Sequence, residues 1–406
     1  MIAGARVRKR VLFFAEAVTL AHVARVAVLA AALDPQRYEA VIACRESLHA
    51  LLPAGIRCLP LDSIPSEQFM RALARGGRVY SLPTLRRYAQ ADSALLAAER
   101  PDLVVGDFRL SLSVSARLAQ RPFAAICNAY WSPWARCTRL PLPELPMTRF
   151  LPLPWAEAAF RLGLPASMAW HAMPLNQLRR ESGLPPLAKG LRPVYTDADH
   201  VLYADVPEMH PTDGMPATHH FLGPILWEPP VALPPWWGAV PSARPWVYVT
   251  MGSSGRAAVL GGVLSAFGDL PVAVLAATAS DERLSALPSN VWAARYLPGT
   301  EVSRRSAVVV CNGGSLGCQQ ALAAGVPVLG IASNMDQFMN MAALERAQAG
   351  ILLRADRLSA ASLRAALQRL LTEPRFRAGA AALGQALARC DASERFARFV
   401  DARLAG

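Results

Sequence analysis

Residues 308–350 read VVVCNGGSLGCQQALAAGVPVLGIASNMDQFMNMAALERAQAG, and the architecture can be worked out from this stretch. Val308–Cys311 is a short, β-branched apolar run, as in a strand buried on both faces. Asn312-Gly313-Gly314-Ser315 then turns the chain into a helix that runs to Ala324. Gly325 stands where a helix wants a left-handed cap, and Val326-Pro327 restarts a strand. Strand, turn, helix, strand is the repeating unit of a parallel sheet. Two glycines let a ligand approach the backbone closely, and the N–H groups of a new helix favour an anion. Such a site lies at the carboxyl end of a parallel strand, where open α/β sheets hold ligands. A Gly-Gly turn serves a tight strand–helix connection equally well. Further on, Asn334-Met335-Asp336-Gln337 opens another helix. A carboxylate beside a carboxamide can grip vicinal hydroxyls there, and Asn334 or Asp336 can equally cap the helix.

The same rhythm extends in both directions. Upstream, Trp246–Thr250, Val272–Ala276 and Val291–Tyr296 read as strands of the same sheet. Nearer the start, Val11–Phe14, Tyr38–Ala43, Ile56–Leu61, Leu103–Asp107 and Phe123–Cys127 alternate with helical segments, and His200–Ala204 and His219–Leu222 complete a first sheet. Most of the 33 prolines lie between Trp131 and Pro245. The prolines of Gly223–Pro245 forbid regular structure. We therefore expect an N-terminal domain (1–222), a linker (223–245), a second domain (246–385) and a closing helix (386–406) that can cross back to the first domain. A chain of 406 residues suits two domains better than one core.

Composition narrows the class. With 53% hydrophobic and 18% charged residues the chain is not disordered. The net charge is +12, but the basic residues are mostly scattered arginines, with one dense run from Arg6 to Arg10. Nucleic-acid proteins concentrate such charge, so no nucleic-acid partner is expected. Phosphorylated substrates, or an anionic membrane surface, suit the charge better. Seven cysteines with no CxxC pair describe neither a zinc site nor a disulfide framework. Arg6–Arg10 followed by Val11–Leu33 has the outline of a secretory signal, but Glu16, His22 and Arg25 interrupt the apolar run. A cytoplasmic protein, allowing loose membrane contact, is the expectation.

Residues 308–350 resemble the donor-binding signature of the UDP-glycosyltransferase type of GT-B glycosyltransferases, which includes bacterial antibiotic and lipid glycosyltransferases. That pattern runs HGG-x-GT-x-x-EAL-x-x-GVP, then DQ-x-x-NA. The chain matches at Gly313, Gly314, Ala321, Leu322, Gly325, Val326, Pro327, Asp336, Gln337 and Asn340. The resemblance implies that Asn312, Gly313, Gly314, Ser315, Leu316 and Gly317 hold a diphosphate, with Asp336 and Gln337 on the sugar hydroxyls. It also implies that Gly252, Ser253 and Ser254, after strand Trp246–Thr250, meet the diphosphate from the other side. The chain departs from the pattern at Asn312 (usually His), Leu316-Gly317 (usually Gly-Thr) and Gln320 (usually Glu). Asn and Gln still form hydrogen bonds but bring no charge, which leaves the nucleotide's identity open.

Leu20-Ala21-His22-Val23-Ala24-Arg25 resembles the family's GH-x-x-P, with Ala21 for Gly and Arg25 for Pro. The family's general base would be His22 here. Pro101–Phe108 resembles the strand whose final carboxylate, Asp107, orients that base. A carboxylate on one imidazole nitrogen leaves the other to take a proton. Asn128, Trp131 and Trp134 follow a strand on the same rim, where aromatics line an apolar acceptor pocket or pin a loop. Asp197-Ala198-Asp199 spells a metal-binding DxD, but it precedes a strand far from the phosphate loop, so no metal is expected.

The expected fold is thus α/β, with two facing Rossmann-like doubly wound domains (GT-B) and an interdomain cleft. The expected activity is inverting transfer from a UDP- or dTDP-linked sugar to a hydroxyl of an apolar small-molecule or lipid acceptor, with no cofactor. The rival readings are a nucleotide-sugar epimerase and a non-catalytic binding partner. Oligomeric state is left open.

Overall fold

The computed structural model describes residues 8–137, 139–252, 257–279 and 287–404. The chain divides into two compact units: Met1–Cys137, Glu157–Ile225 and Cys390–Gly406 in the first, Thr138–Ala156 and Leu226–Arg389 in the second.

The first unit contains seven strands: β1 (Lys9–Ala15), β2 (Tyr38–Cys44), β3 (Arg57–Pro60), β4 (Leu103–Asp107), β5 (Phe123–Cys127), β6 (His200–Tyr203) and β7 (His219–Phe221). They pair in parallel in the order β3-β2-β1-β4-β5-β6-β7. The order reverses between β1 and β4, and ligands of doubly wound sheets sit at such a reversal. Alternate residues of β1 fill different cores. Val11 and Phe13 pack with Leu29, Phe396 and Val400. Leu12 and Phe14 pack with Leu96 and Leu112.

The second unit repeats the plan with β8 (Trp246–Thr250), β9 (Ala273–Ala277), β10 (Val291–Ala294), β11 (Ser306–Cys311), β12 (Val328–Ala332) and β13 (Gly350–Arg354). Their order is β10-β9-β8-β11-β12-β13, and the reversal falls between β8 and β11. Strand β13 was not foreseen. It lies at the sheet edge, half-buried over its last three residues, and lacks the continuous apolar run of a central strand.

Two segments depart from the expected division. Residues 138–156, expected within the N-terminal domain, group with the second unit. Glu144 N–H donates to Ser333 O at 2.7 Å, Arg354 Nη1 to Leu142 O at 2.8 Å, and Thr148 Oγ1 to Asp356 Oδ2 at 2.5 Å. The proline-rich middle also holds a 29-residue helix, Leu153–Glu181, with Pro165 and Pro174 inside it. Each interior proline removes a helical hydrogen bond. Burial of Ala172, Leu175 and Leu178 against Leu85, Tyr88 and Val114 offsets that loss. The residues expected as linker contain neither strand nor α-helix, only a short 3₁₀ turn at Trp237–Ala239. Helix Ala392–Leu404 belongs to the first unit; Phe396 and Val400 are fully buried there, and Tyr38 Oη donates to Asp401 Oδ1 at 2.5 Å.

A buried ionic cluster holds the β1 and β4 ends together. Glu16 N–H donates to Asp107 O at 3.1 Å. Arg109 donates to Glu16 Oε2 through Nη1 at 2.8 Å and to Asp92 Oδ1 through Nε at 3.0 Å. Its guanidinium lies 3.6 Å from the centre of the Tyr88 ring. All three ionic side chains are fully buried. Burial raises both carboxyl groups above their ordinary range, while Arg109 opposes the rise. Arg109→Met removes the only cation of this cluster. It is expected to cost about 3–5 kcal/mol in urea unfolding at neutral pH, and less as pH falls and the raised carboxyls take up protons. A loss below about 1 kcal/mol would show that the cluster does not brace this rim.

Candidate functional site

In the first unit the site grows from the reversal between β1 and β4. Helix Leu20–Ala31 starts after β1 and carries His22 in its first turn. Asp107 is the last residue of β4 and is fully buried. The His22 side chain, 16% exposed, places Nδ1 2.7 Å from Asp107 Oδ1. An unprotonated Nδ1 at that distance would set lone pair against lone pair. Arg25 Nη2 also lies 3.0 Å from Nδ1. The tautomer with its proton on Nδ1, donated to Asp107, is the one that leaves the Nε2 lone pair for an acceptor. The imidazole stacks on Phe108, with centroids 5.0 Å apart and planes 5° from parallel. Phe108 has φ +58°, a strained conformation for a bulky residue that aims its ring at His22.

Arg25, three residues on from His22, stands where the resemblance calls for proline. Its guanidinium is buried and grips both oxygens of Asp107: Nε donates to Oδ2 and Nη2 to Oδ1, each at 2.8 Å. Nη1 donates to Asn128 Oδ1 at 2.9 Å, and Asn128 Nδ2 donates to Asp205 Oδ2 at 3.1 Å. Burial acts to lower the Arg25 guanidinium, but the Asp107 carboxylate beside it leaves it above its ordinary value. Asp107 is thus held from two sides, and its orientation toward His22 is fixed. The sequence signal was available: a buried arginine on an otherwise apolar helix face needs an acidic partner.

In the second unit the loops after β8 and β11 lie side by side, with Thr250 in register with Cys311. Gly313 (φ +79°) makes the turn. A Cβ on Gly313 would stand 2.7 Å from Met341 Cγ, so only glycine fits. Asn312 Oδ1 accepts from Gly314 N at 3.0 Å, and Gly313 O accepts from Asn340 Nδ2 at 2.9 Å. Helix Ser315–Ala323 begins here with Gly314 as its cap residue, and the dipole and first turn of a helix favour an anion. Gly252 (φ +62°) faces this turn; a Cβ there would stand 3.5 Å from Asn312 Nδ2. Ser253 and Ser254 lie outside the described residues.

A family model described as the erythromycin biosynthesis protein CIII-like C-terminal domain matches residues 262–397. The chain is 51% identical over 380 residues to a "PGL/p-HBAD biosynthesis glycosyltransferase" of Mycobacterium tuberculosis (strain ATCC 25177 / H37Ra), covering 93% of this chain and 89% of the relative. The chain belongs to this glycosyltransferase family. It is also 50% identical over 383 residues to a "PGL/p-HBAD biosynthesis rhamnosyltransferase" of Mycobacterium bovis (strain BCG / Pasteur 1173P2), covering 94% and 85%. Among solved structures, spinosyn rhamnosyltransferase SpnG complexed with thymidine diphosphate shares the fold at TM-score 0.69 and 20% identity, covering 97% of this chain and all of that one. The GT-B architecture expected from the sequence is thereby established for two parallel-sheet domains.

Within this glycosyltransferase the remaining candidates take varied places. Asp336 is half-buried in the first turn of helix Met335–Arg346. Asn334 and Gln337 form a capping box: Gln337 N donates to Asn334 Oδ1 at 3.1 Å and Asn334 N to Gln337 Oε1 at 3.4 Å, while Ser333 N also donates to Gln337 Oε1 at 2.8 Å. Gln337 is buried, with its side-chain oxygen engaged in that cap. Gln320 Nε2 donates to Trp227 O at 2.7 Å, so its amide nitrogen ties helix Ser315–Ala323 to the preceding loop. Leu316 and Gly317 occupy the first turn of that helix. Asn128 and Trp131, expected toward an acceptor, are both buried. Asn128 belongs to the Arg25 network, and Trp131 packs edge-on against Tyr195 with centroids 4.9 Å apart. Trp134 is exposed. Asp197 is taken by Arg117 and Arg179, and Asp199 Oδ2 accepts from Phe123 N at 2.9 Å. Among the described residues no cluster of three His, Cys, Asp or Glu suits a metal ion.

Two substitutions test these assignments. Gly313→Ala forces a Cβ into Met341 and is expected to weaken nucleotide affinity by about tenfold or more, read by titration calorimetry. Unchanged affinity would separate the turn from the donor. Arg25→Leu leaves the buried Asp107 short of its cation and is expected to destabilise the first unit by about 3 kcal/mol or more, read by denaturant unfolding. Restoration of wild-type stability in Arg25→Leu/Asp107→Leu would identify the unpaired carboxylate as the cause.

Proposed function

We propose that this glycosyltransferase moves a sugar, with inversion, from a nucleoside-diphosphate sugar to a hydroxyl of an apolar, lipid-like acceptor. The observation that carries the reading is the 2.7 Å pairing of His22 Nδ1 with a buried Asp107. That pairing leaves Nε2 as the base. Nε2 takes the proton from the acceptor hydroxyl as its oxygen attacks the anomeric carbon. The bond from that carbon to the diphosphate oxygen breaks on the opposite face, and the electron pair leaves with the diphosphate. The N–H groups at the start of Ser315–Ala323 meet the charge that develops there. Asp107 balances the imidazolium formed in the same step and does not itself take the proton. The reaction needs neither metal nor cofactor; the nucleotide sugar is a co-substrate.

Asp336 is the carboxylate best placed in sequence to hold sugar hydroxyls, at the start of the helix that follows β12. The named rhamnosyltransferase relative, and the solved rhamnosyltransferase that holds thymidine diphosphate, make dTDP-rhamnose the first donor to test. The relatives' names, in PGL/p-HBAD biosynthesis, support the glycolipid sense of the acceptor.

Thermal unfolding with dTDP, UDP, GDP or NAD at millimolar concentration tests the donor half. A ligand at about 100 times its dissociation constant adds about 2.7 kcal/mol of stability. One nucleoside diphosphate is expected to raise the melting temperature, and NAD is not. His22→Ala is expected to lower kcat by about 10²–10⁴-fold while leaving the nucleotide shift intact. Full turnover in His22→Ala would falsify the base assignment.

A further inference from the structure

We propose that the outer face of helix Leu153–Glu181 docks the enzyme on an anionic lipid bilayer. Trp155, Ala159, Leu162, Ala166, Trp170 and Met173 recur at intervals of three or four, so they share one face of the helix. All six are exposed to solvent. Leu162 is 87% exposed, Trp155 71%, Met173 46% and Trp170 42%. The helix buries its other side, where Ala172, Leu175 and Leu178 enter the core. The apolar stripe follows about 27 Å of helix, at 1.5 Å per residue. Scattered exposed apolar residues need no explanation, but a continuous stripe does.

The charge along the stripe identifies what covers it. The segment after helix Ser66–Arg75 reaches Trp170. Arg78 Nε donates to Trp170 O at 2.9 Å, and its guanidinium stands 4.1 Å from the centre of the Trp170 ring. Arg71 and Arg75 are exposed on the same short helix, whose single acid, Glu67, sits in its first turn. Within the stripe's own helix, from Trp155 to Met173, the only acid is Glu157, and exposed Arg161 pairs with it at 3.0 Å. Tryptophan and leucine on one face, with the Arg78 guanidinium over one tryptophan and two exposed arginines on the helix before it, is the composition of a helix lying in the bilayer interface. A second copy of the chain would bring a second Arg78 to the same seam. An anionic surface complements the arginines instead. Among the described residues no helix is long and apolar enough to cross a membrane, so the contact is peripheral. The inference accords with a lipid-like acceptor but does not rest on the catalytic reading, because vesicle binding is measured without donor or acceptor.

The full chain is tested by co-sedimentation with vesicles of phosphatidylcholine containing about one-third phosphatidylglycerol, and with phosphatidylcholine alone. Binding is expected to the anionic vesicles, with a blue shift of tryptophan emission, and to weaken as salt rises. Leu162→Asp/Met173→Asp is expected to lower that binding about tenfold or more, with thermal stability and nucleotide affinity unchanged. Both side chains project from the surface, so the variant keeps the core intact. Arg71→Gln/Arg75→Gln, which leaves the stripe untouched, is expected to weaken binding to the anionic vesicles only. Three results overturn the proposal. One is absence of binding by a monomeric protein. Another is a dimer in light scattering that the double aspartate variant dissolves, which would make the stripe a self-interface. The last is vesicle binding that the double aspartate variant leaves unchanged.

Discussion

A buried carboxylate organises the first unit. Asp107 ends a central strand with no access to water, and a charge in that position needs partners on every side. It finds them in Arg25, which bonds both oxygens, and in His22, which meets one of them. Both partners come from one helix, three residues apart, so the first turn of that helix is set against the strand end. From Arg25 the network passes through Asn128 to Asp205, crossing the ends of β4, β5 and β6. The Glu16–Arg109–Asp92 cluster braces the neighbouring loops. Such ionic arrangements contribute little net stability compared with an apolar core. Their effect is on geometry: they hold the imidazole Nδ1 against the strand end.

The two units solve different chemical problems with the same topological device. In each, strand order reverses at the centre of the sheet, and the two loops flanking the reversal come together. The first unit places an imidazole and a carboxylate there. The second places two backbone turns, Gly252 beside Asn312–Gly314, and a helix start. On the proposed reading, side chains supply the base and main chain the anion site. Glycine is required in the second case because Met341 fills the space behind Gly313.

Much of this was legible in the sequence. The central strands are short, apolar and β-branched, and they came within a residue or two of the expected ranges because burial on both faces imposes that composition. His22 and Asp107 were legible through their resemblance to a known pattern, and the structure brings them into contact. What was not legible depended on tertiary context. Pro165 and Pro174 argue locally against a helix, yet both lie inside one whose end is anchored in the core. Asn128 and Trp131 follow a strand on the active rim, but their side chains turn inward, the first to a charge that sequence spacing alone did not connect to it. Gln337 matches its family position and also closes a capping box, a local role that a motif does not reveal.

Met341 links three parts of the second unit. It backs the turn at Gly313, and it also lies against Gly330 in β12 and Gly350 at the start of β13. Its neighbour Asn340 holds the Gly313 carbonyl. The helix that carries Asp336 is therefore keyed to the turn beside the anion cradle, through adjacent residues on one helical turn. The two ends of a bound donor would be gripped by parts that move as a single piece. If the donor binds as proposed, re-tailoring the sugar preference by shifting this helix would disturb the turn at Gly313 too. Changes confined to side chains at the helix start offer the more independent route to a new specificity.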